Sequence, residues 1–221
     1  FVEKKNIKFV GFSGNPIQYL TGALVATILL FIILGIGCLC GSISFCGFST
    51  NVNIKSILLW ILAFGIQGAT EEIMCRGFLL NSLKNRISIP LAILISSTAF
   101  VFPHLSSLIE ADFVYAVVGI INLYLVSITF SILVLWRSNI WIACGLHSAW
   151  NFILYVIMGL SLSGSESVSK GVVLFSVKDT SILNGADYGI EASVITTVVL
   201  GMLLFVMVKG WKGRIGKDGI S

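Results

Sequence analysis

Two adjacent carboxylates and an arginine stand inside a strongly apolar stretch of this sequence. The segment reads ATEEIMCRG and contains Glu71, Glu72 and Arg76. Neighbouring residues of a helix point about 100° apart, whereas residues four positions apart lie on one face. The spacing predicts an ion pair between Glu72 and Arg76 and leaves Glu71 facing another direction. A purely structural cluster of all three is the alternative, since buried ion pairs can also serve specificity.

The chain contains two histidines, and each has a neighbour that bears on its role. His147 and Asn151 are four residues apart, so a helix would present an imidazole and a carboxamide to one point, which are donors suited to an oxyanion. His104 follows Pro103, which removes a helical hydrogen bond and bends the axis. His104 is therefore either turned toward the bundle interior or a residue at a helix end. His147 could likewise be a satisfied structural residue.

The set Glu71, His104, His147 and Asn151 suits a hydrolase that activates water. A buried glutamate, or one steered by a neighbouring imidazole, can act as a general base on water. His104 would help Glu71 polarise that water, while His147 and Asn151 would stabilise the tetrahedral oxyanion. Serine, cysteine and aspartate do not stand at useful spacing in the same apolar segments.

A metal site is an alternative use of the same residues. Glu71, His104 and His147 form a ligand set that zinc accepts with one position open. However, the HExxH pattern is absent, and no helix carries two ligands four residues apart. We therefore predict catalysis without a metal or other cofactor, with zinc as the alternative.

These residues must be positioned within a membrane. The chain is 57% apolar and 11% charged, with a mean hydropathy of +1.01, far from the composition of a soluble domain. Apolar runs of about 17–25 residues cross a hydrocarbon core as helices, because an isolated strand leaves its backbone unsatisfied in lipid. We predict one all-α transmembrane bundle over residues 1–221, with the active-site cavity inside the membrane. Six spans are expected, of which the third is shorter than the other five: Ile17–Leu39, Ser56–Leu80, Ile89–Phe102, Phe113–Leu135, Ile140–Leu160 and Ile190–Val208.

The basic residues alternate between the connections of these spans. Lysines and arginines precede the first span and follow the second, fourth and sixth, whereas the other connections carry Lys55, then Glu110 with Asp112, then the mixed segment 161–188. Basic connections remain in the cytoplasm, so both termini are predicted to be cytoplasmic. The connection 161–188 either covers a mouth of the cavity or is a linker.

The remaining composition excludes several classes of protein. The five cysteines show no CxxC spacing, and we interpret them as packing residues rather than disulfide or zinc partners. The sequence contains no phosphate loop and no nucleic-acid-binding module, so nucleic acid is not an expected partner.

Three motifs occur in an order that resembles the CAAX protease and bacteriocin-processing family, also called the Abi family. They are EExxxR at Glu71, Glu72 and Arg76, FxxxH at Phe100 and His104, and HxxxN at His147 and Asn151. Each motif is weak alone, but three in order on three membrane helices are specific. The resemblance covers about residues 55–160. The glycine-rich segment 184–193 also resembles the turn before the last helix of bacterial members.

The resemblance implies an intramembrane glutamic-type endopeptidase of a bacterial cell membrane. It assigns water activation to Glu71 and His104, the oxyanion site to His147 and Asn151, and support to Glu72, Arg76 and Phe100. Eukaryotic members act on prenylated CAAX proteins, and some bacterial members are linked to bacteriocin processing or self-immunity. The expected partners are a peptide or protein substrate, lipidated or not, and the lipid bilayer.

Two further functions use the same cavity. A non-catalytic bacteriocin self-immunity or membrane binding protein would hold a peptide or a lipid tail there. A small transporter would use the paired glutamates in a proton relay, although paired broken helices are not evident in the sequence.

Overall fold

The computed structural model describes residues 7–167, 171–178 and 180–218. The described part is a helical membrane bundle with a small sheet, which confirms the predicted fold class. Its main elements are α1 (Gln18–Leu39), β1 (Ile43–Phe48), α2 (Ile54–Leu83), α3 (Ile89–Ile109), α4 (Phe113–Arg137), α5 (Trp141–Ile157), β2 (Val173–Val177) and α6 (Val194–Asp218).

Five of these described helices, α1 to α4 and α6, are long and apolar enough to cross a membrane. The sixth, α5, is shorter than the predicted span Ile140–Leu160. It ends in the π-helical turn Ile153–Ile157, after which the chain leaves the helical conformation. The predicted number, five long helices and one shorter one, agrees with the structure, but the shorter helix is α5 and not the predicted Ile89–Phe102.

Helix α3 is longer than predicted and changes geometry near its end. The expected segment Ile89–Phe102 continues through a 3₁₀ turn at Phe102–His104 and one more helical turn to Ile109. Pro103 lies in that 3₁₀ turn and has no amide hydrogen, so it interrupts the α-helical bonding pattern. The short run in the sequence is thus a long helix interrupted near its end.

Helix α5 crosses two neighbours at glycine contacts. A Cβ atom on Gly145 would collide with the carbonyl oxygen of Tyr19, at the start of α1, and one on Gly68 of α2 would lie 2.6 Å from the Ser148 hydroxyl oxygen. Small residues let membrane helices approach closely. Large exposed side chains such as Phe31 and Leu59 lie on the outer faces of α1 and α2, as expected for surfaces that meet lipid.

The sheet was not predicted, whereas a glycine-rich turn before α6 was. Strand β1 pairs antiparallel with β2, with Ile43 opposite Val177 and an irregularity near Gly47. Two 3₁₀ turns, Ala186–Tyr188 and Ile190–Ala192, then lead into α6, which begins four residues later than predicted, at Val194. The described residues of the connection 161–188 are therefore largely folded, and the predicted glycine-rich turn is confirmed.

Candidate active site

The EExxxR motif forms a buried ion pair in α2. An Arg76 guanidinium nitrogen donates to Glu72 Oε1 at 2.9 Å, and both side chains are fully buried. The other terminal nitrogen of Arg76 donates to the backbone oxygen and the hydroxyl of Ser127 in α4. The guanidinium carbon also lies 4.5 Å from the centre of the Phe100 ring. The predicted Glu72–Arg76 pair is confirmed, and it ties α2 to α3 and α4.

The two glutamates meet the same imidazole from different sides. His147 Nδ1 lies 3.0 Å from Glu72 Oε1, and His147 Nε2 lies 3.9 Å from Glu71 Oε2. Because an ionised carboxylate only accepts hydrogen bonds, Nδ1 is assigned the proton that it shares with Glu72. His147 is therefore oriented by the buried Glu72–Arg76 pair, with Nε2 directed at Glu71.

A glutamine links Glu71 to Asn151. The Asn151 amide nitrogen donates to Gln67 Oε1 at 2.8 Å, and the Gln67 amide nitrogen donates to Glu71 Oε1 at 2.5 Å. Gln67 was not among the predicted site residues. Its position one helical turn before Glu71, in an otherwise apolar segment, is the sequence signal that could have identified it.

His104 lies on the same cavity but makes a different contact. Its Nδ1 donates to the Phe100 carbonyl oxygen at 3.0 Å, which leaves Nε2 free of this contact and, in the tautomer with hydrogen on Nδ1 alone, able to accept a hydrogen bond. The Phe100 ring stands near both imidazoles, with ring centres 5.2 Å from His104 and 5.7 Å from His147. Of the two histidines, His147 is the one in ion-pair distance of Glu71, so the predicted Glu71–His104 pairing stays a prediction.

These side chains border a cavity of about 350 Å³ enclosed by α2 to α6. Gln67, His104, His147 and Asn151 all line it, while aromatic side chains such as Trp60 form much of the remaining wall. A mainly apolar cavity with a few converging polar groups is the usual form of a ligand site. Glu71 stands beside it, with 29% of its side chain exposed.

A further carboxylate, that of Glu191, stabilises the cavity wall near the start of α6. Glu191 accepts from the Trp150 indole nitrogen at 3.0 Å and from the Ser163 backbone nitrogen at 2.7 Å. This connects α5 to the segment 161–188, which contributes Ser163, Ser165 and Tyr188 to the cavity. Burial, and then the charge of Glu191, raises the pKa of Tyr188 to about 12, so its phenol is neutral at physiological pH. Sequence reasoning did not identify Glu191.

Among the residues that the structure describes, no three His, Cys, Asp or Glu side chains are grouped as a metal-ligand set. Glu71, His104 and His147, the residues considered as zinc ligands, are therefore not grouped in this way in the described structure. Their present arrangement instead consists of separate hydrogen bonds to Gln67, Phe100 and Glu72.

Residues 53–153 match the family model of the Rce1-like proteins, described as type II CAAX prenyl endopeptidases. This segment, just under half of the chain, is similar to the Rce1-like family. The Rce1-like segment contains all three motifs, so the resemblance seen in the sequence is confirmed. This similarity, together with the long apolar helices, supports a membrane-embedded protease that acts on a peptide or protein substrate. No curated protein and no solved structure matches the chain.

Proposed function

We propose that this protein is an intramembrane endopeptidase that hydrolyses a peptide bond with a water activated by Glu71 and His104. The observation that carries the proposal is the network beside the cavity, in which Glu71 contacts His147 directly and Asn151 through Gln67. A network of this kind offers a base and two oxyanion donors within one apolar enclosure.

Water activation uses the two groups that are not committed to the buried ion pair. Glu71 takes a proton from water, and the acceptor nitrogen of His104, Nε2, orients the same water by accepting its other hydrogen. The water oxygen then bonds to the carbonyl carbon of the substrate. Glu72 is unsuited to this role because its carboxylate is fully buried against Arg76 and His147.

The attack converts the substrate carbonyl oxygen into an oxyanion. Asn151 has two amide N–H groups, and since one donates to Gln67, the other can donate to this oxygen. A His147 that carries both ring protons donates from Nε2, held in place by its Nδ1 contact with Glu72. Protonated Glu71 then transfers its proton to the amide nitrogen as the C–N bond breaks. The products are a carboxylic acid, whose hydroxyl hydrogen comes from the water, and an amine; proton transfer between them gives a carboxylate and an ammonium group.

The proposal is tested by replacing Glu71 with glutamine, which keeps the shape and removes the base. We expect Glu71→Gln to lower kcat by about 10²–10⁴-fold on a peptide pool, offered with and without a prenyl group. Glu110→Gln is the matched control, because Glu110 is exposed on a connection outside the cavity. Equal cleavage by wild type and a folded Glu71→Gln variant would contradict the mechanism. Peptide binding without any cleavage by wild type would favour the non-catalytic binding protein.

We further propose that the reaction proceeds without a bound metal, which the separate hydrogen-bond partners of the two histidines support. The expected result is that purified protein contains no stoichiometric metal by elemental analysis, and that cleavage survives chelator treatment. Loss of activity in chelator that zinc restores would favour the zinc alternative. Chelator saturated with zinc beforehand serves as the control for nonspecific effects of the reagent.

A further inference from the structure

The cavity occupies one end of the bundle. Helix α2 contributes Trp60, Phe64 and Gln67, all in its first half, while Lys84 follows its other end. Helix α6 contributes Thr196 and Leu200, in its first turns, while Lys209 lies near the opposite end of its apolar stretch. Both helices therefore line the cavity with the half that is remote from their basic end.

Helices α3 and α5 run in the opposite direction to α2 and α6. They also line the cavity with residues remote from their basic ends, which in these two helices are the later residues. Helix α3 contributes Phe100 and His104, from its second half, and its basic connection precedes it. Helix α5 contributes residues from His147, near its middle, to Tyr155, and Arg137 lies before its start. Helix α4 runs in the same direction as α2 and α6; the cavity extends along it from Gly119 to Phe130, beyond its middle, and Arg137 lies at its end.

The end of the bundle that holds the cavity carries more acidic than basic residues in the described part of the chain, although Lys55 at the start of α2 and Lys178 after β2 also lie there. The segment 161–188 and Glu191 form part of the wall there, and the connection with Glu110 and Asp112 belongs to the same end. Ser165 is both exposed and part of the cavity lining, so this end provides the opening.

The basic end is covered instead. The Asn81 side chain donates to the Phe9 carbonyl oxygen, and the Ile140 backbone nitrogen donates to the Gly11 carbonyl oxygen. These bonds hold the chain before α1 across the ends of α2 and α5. A smaller cavity at this end, of about 180 Å³, reaches Arg76 but none of the four proposed catalytic side chains.

We infer that the catalytic cavity opens on the face of the membrane away from the cytoplasm, so that its substrate is a peptide presented at the outer surface. The inference rests on the proposed endopeptidase function and on the rule that basic connections remain cytoplasmic. A substrate synthesised in the cytoplasm would have to cross the membrane before it is cut. This substrate class differs from a protein that is cleaved at the cytoplasmic surface.

The orientation is tested by cysteine labelling in intact cells with a membrane-impermeant biotin maleimide. In a background with Cys38, Cys40 and Cys46 changed to serine, Cys75 and Cys144 remain, and both are buried. Added to this background, Ser165→Cys reports the cavity mouth and Asn85→Cys reports the basic end, since both positions are exposed. We expect Ser165→Cys to label in intact cells and Asn85→Cys to label only after permeabilisation.

The reverse labelling pattern would overturn the inference. Should Ser165→Cys fail to fold, native Cys46, exposed on β1 at the same end of the bundle, is the second reporter when only Cys38 and Cys40 are replaced. Its labelling is expected to match that of Ser165→Cys, because β1 pairs with β2 of the segment 161–188.

An activity measurement separates this inference from the proposed function. Right-side-out and inside-out vesicles receive a soluble, membrane-impermeant pool of quenched fluorescent peptides, with Glu71→Gln vesicles as the blank. We expect cleavage in right-side-out vesicles only. Cleavage in inside-out vesicles alone would overturn the inference and leave the endopeptidase intact. With no cleavage in either, the proposed function fails, and the labelling result still decides on which face the cavity opens.

Discussion

At the scale of single residues, the two adjacent glutamates have different surroundings. Glu72 is fully buried and shares one oxygen between Arg76 and His147. Glu71 is partly exposed and bonded to Gln67. A buried ion pair is expensive to desolvate and is tolerated when further contacts surround it, here the Phe100 ring and Ser127. The pair is therefore held in place on several sides, and Glu71 is the more exposed of the two carboxylates.

Gln67 is the residue-scale test of this network. Gln67→Leu keeps the size of the side chain but removes both hydrogen bonds, so Glu71 and Asn151 lose their common anchor. Because small misplacements at a reaction centre can cost about 10²-fold, we expect kcat to fall by roughly one to two orders of magnitude with little change in KM. Peptide cleavage kinetics measure this effect.

The control for Gln67→Leu is Thr70→Val, an exposed position on the same helix whose hydroxyl bonds only to the backbone of Ile66 among the described contacts. Thr70→Val is expected to retain wild-type kinetics. A Gln67→Leu enzyme with unchanged kcat would show that the link between Glu71 and Asn151 has no role in positioning them.

At the scale of elements, α5 carries half of the proposed catalytic residues and is held by close crossings. Gly145 meets the backbone at Tyr19, and Gly68 meets Ser148 one residue after His147. Glycine weakens a helix by roughly 1 kcal/mol relative to alanine, so its presence here is explained by the close approach that it permits. The depth and rotation of His147 and Asn151 depend on these crossings.

Gly145→Ala tests the crossing of α1 and α5. The added Cβ would overlap the Tyr19 carbonyl, and forced overpacking typically destabilises a protein by about 1–3 kcal/mol. We expect a lower midpoint of unfolding in detergent and reduced activity.

Gly35→Ala is the matched control for the crossing, because Gly35 is also helical, in α1, and has no atom within 4 Å of its Cβ position. Its stability is expected to stay the same or rise slightly, since alanine favours the helix. Equal stability of the two variants would mean that α1 and α5 are not closely packed at Gly145.

At the scale of the whole molecule, the bundle forms an enclosure that is open at one end. The Rce1-like segment supplies α2 to α4 and most of α5, whereas α6 and the segment 161–188 close the remaining wall. Glu191 joins these two parts through Trp150 and Ser163. An apolar enclosure strengthens the electrostatic interactions of the few polar groups inside it.

Filling the enclosure tests whether it is the substrate site. Leu123 lines the cavity and is not one of the proposed catalytic groups, so Leu123→Trp is expected to slow peptide cleavage, by on the order of tenfold or more, through exclusion or misplacement of substrate. The midpoint of unfolding should change little. Ile121→Trp is the control, since Ile121 is on the same helix and 44% exposed toward the lipid side. Equal cleavage by the two tryptophan variants would place the substrate elsewhere.

The sequence by itself determined the membrane class, most of the helices and the contact between Glu72 and Arg76. Each of these depends on hydrophobicity over a window or on spacing within one helix, which are local properties. The lengths of two helices were predicted incorrectly, for physical reasons. Pro103 interrupts the helical hydrogen bonding of α3. Helix α5 is enclosed by other helices on several sides, so the length of its apolar run did not predict where the helix ends.

Only the tertiary structure decided which groups meet between helices. His147 contacts Glu72 across 75 residues of sequence, Asn151 reaches Gln67 across 84, and β1 finds β2 in a distant connection. Such contacts depend on the depth, rotation and crossing of whole helices, which the period of one helix does not encode. The sequence therefore supplied the chemical groups, and the packing of α5 against its neighbours brought them together at one end of the bundle.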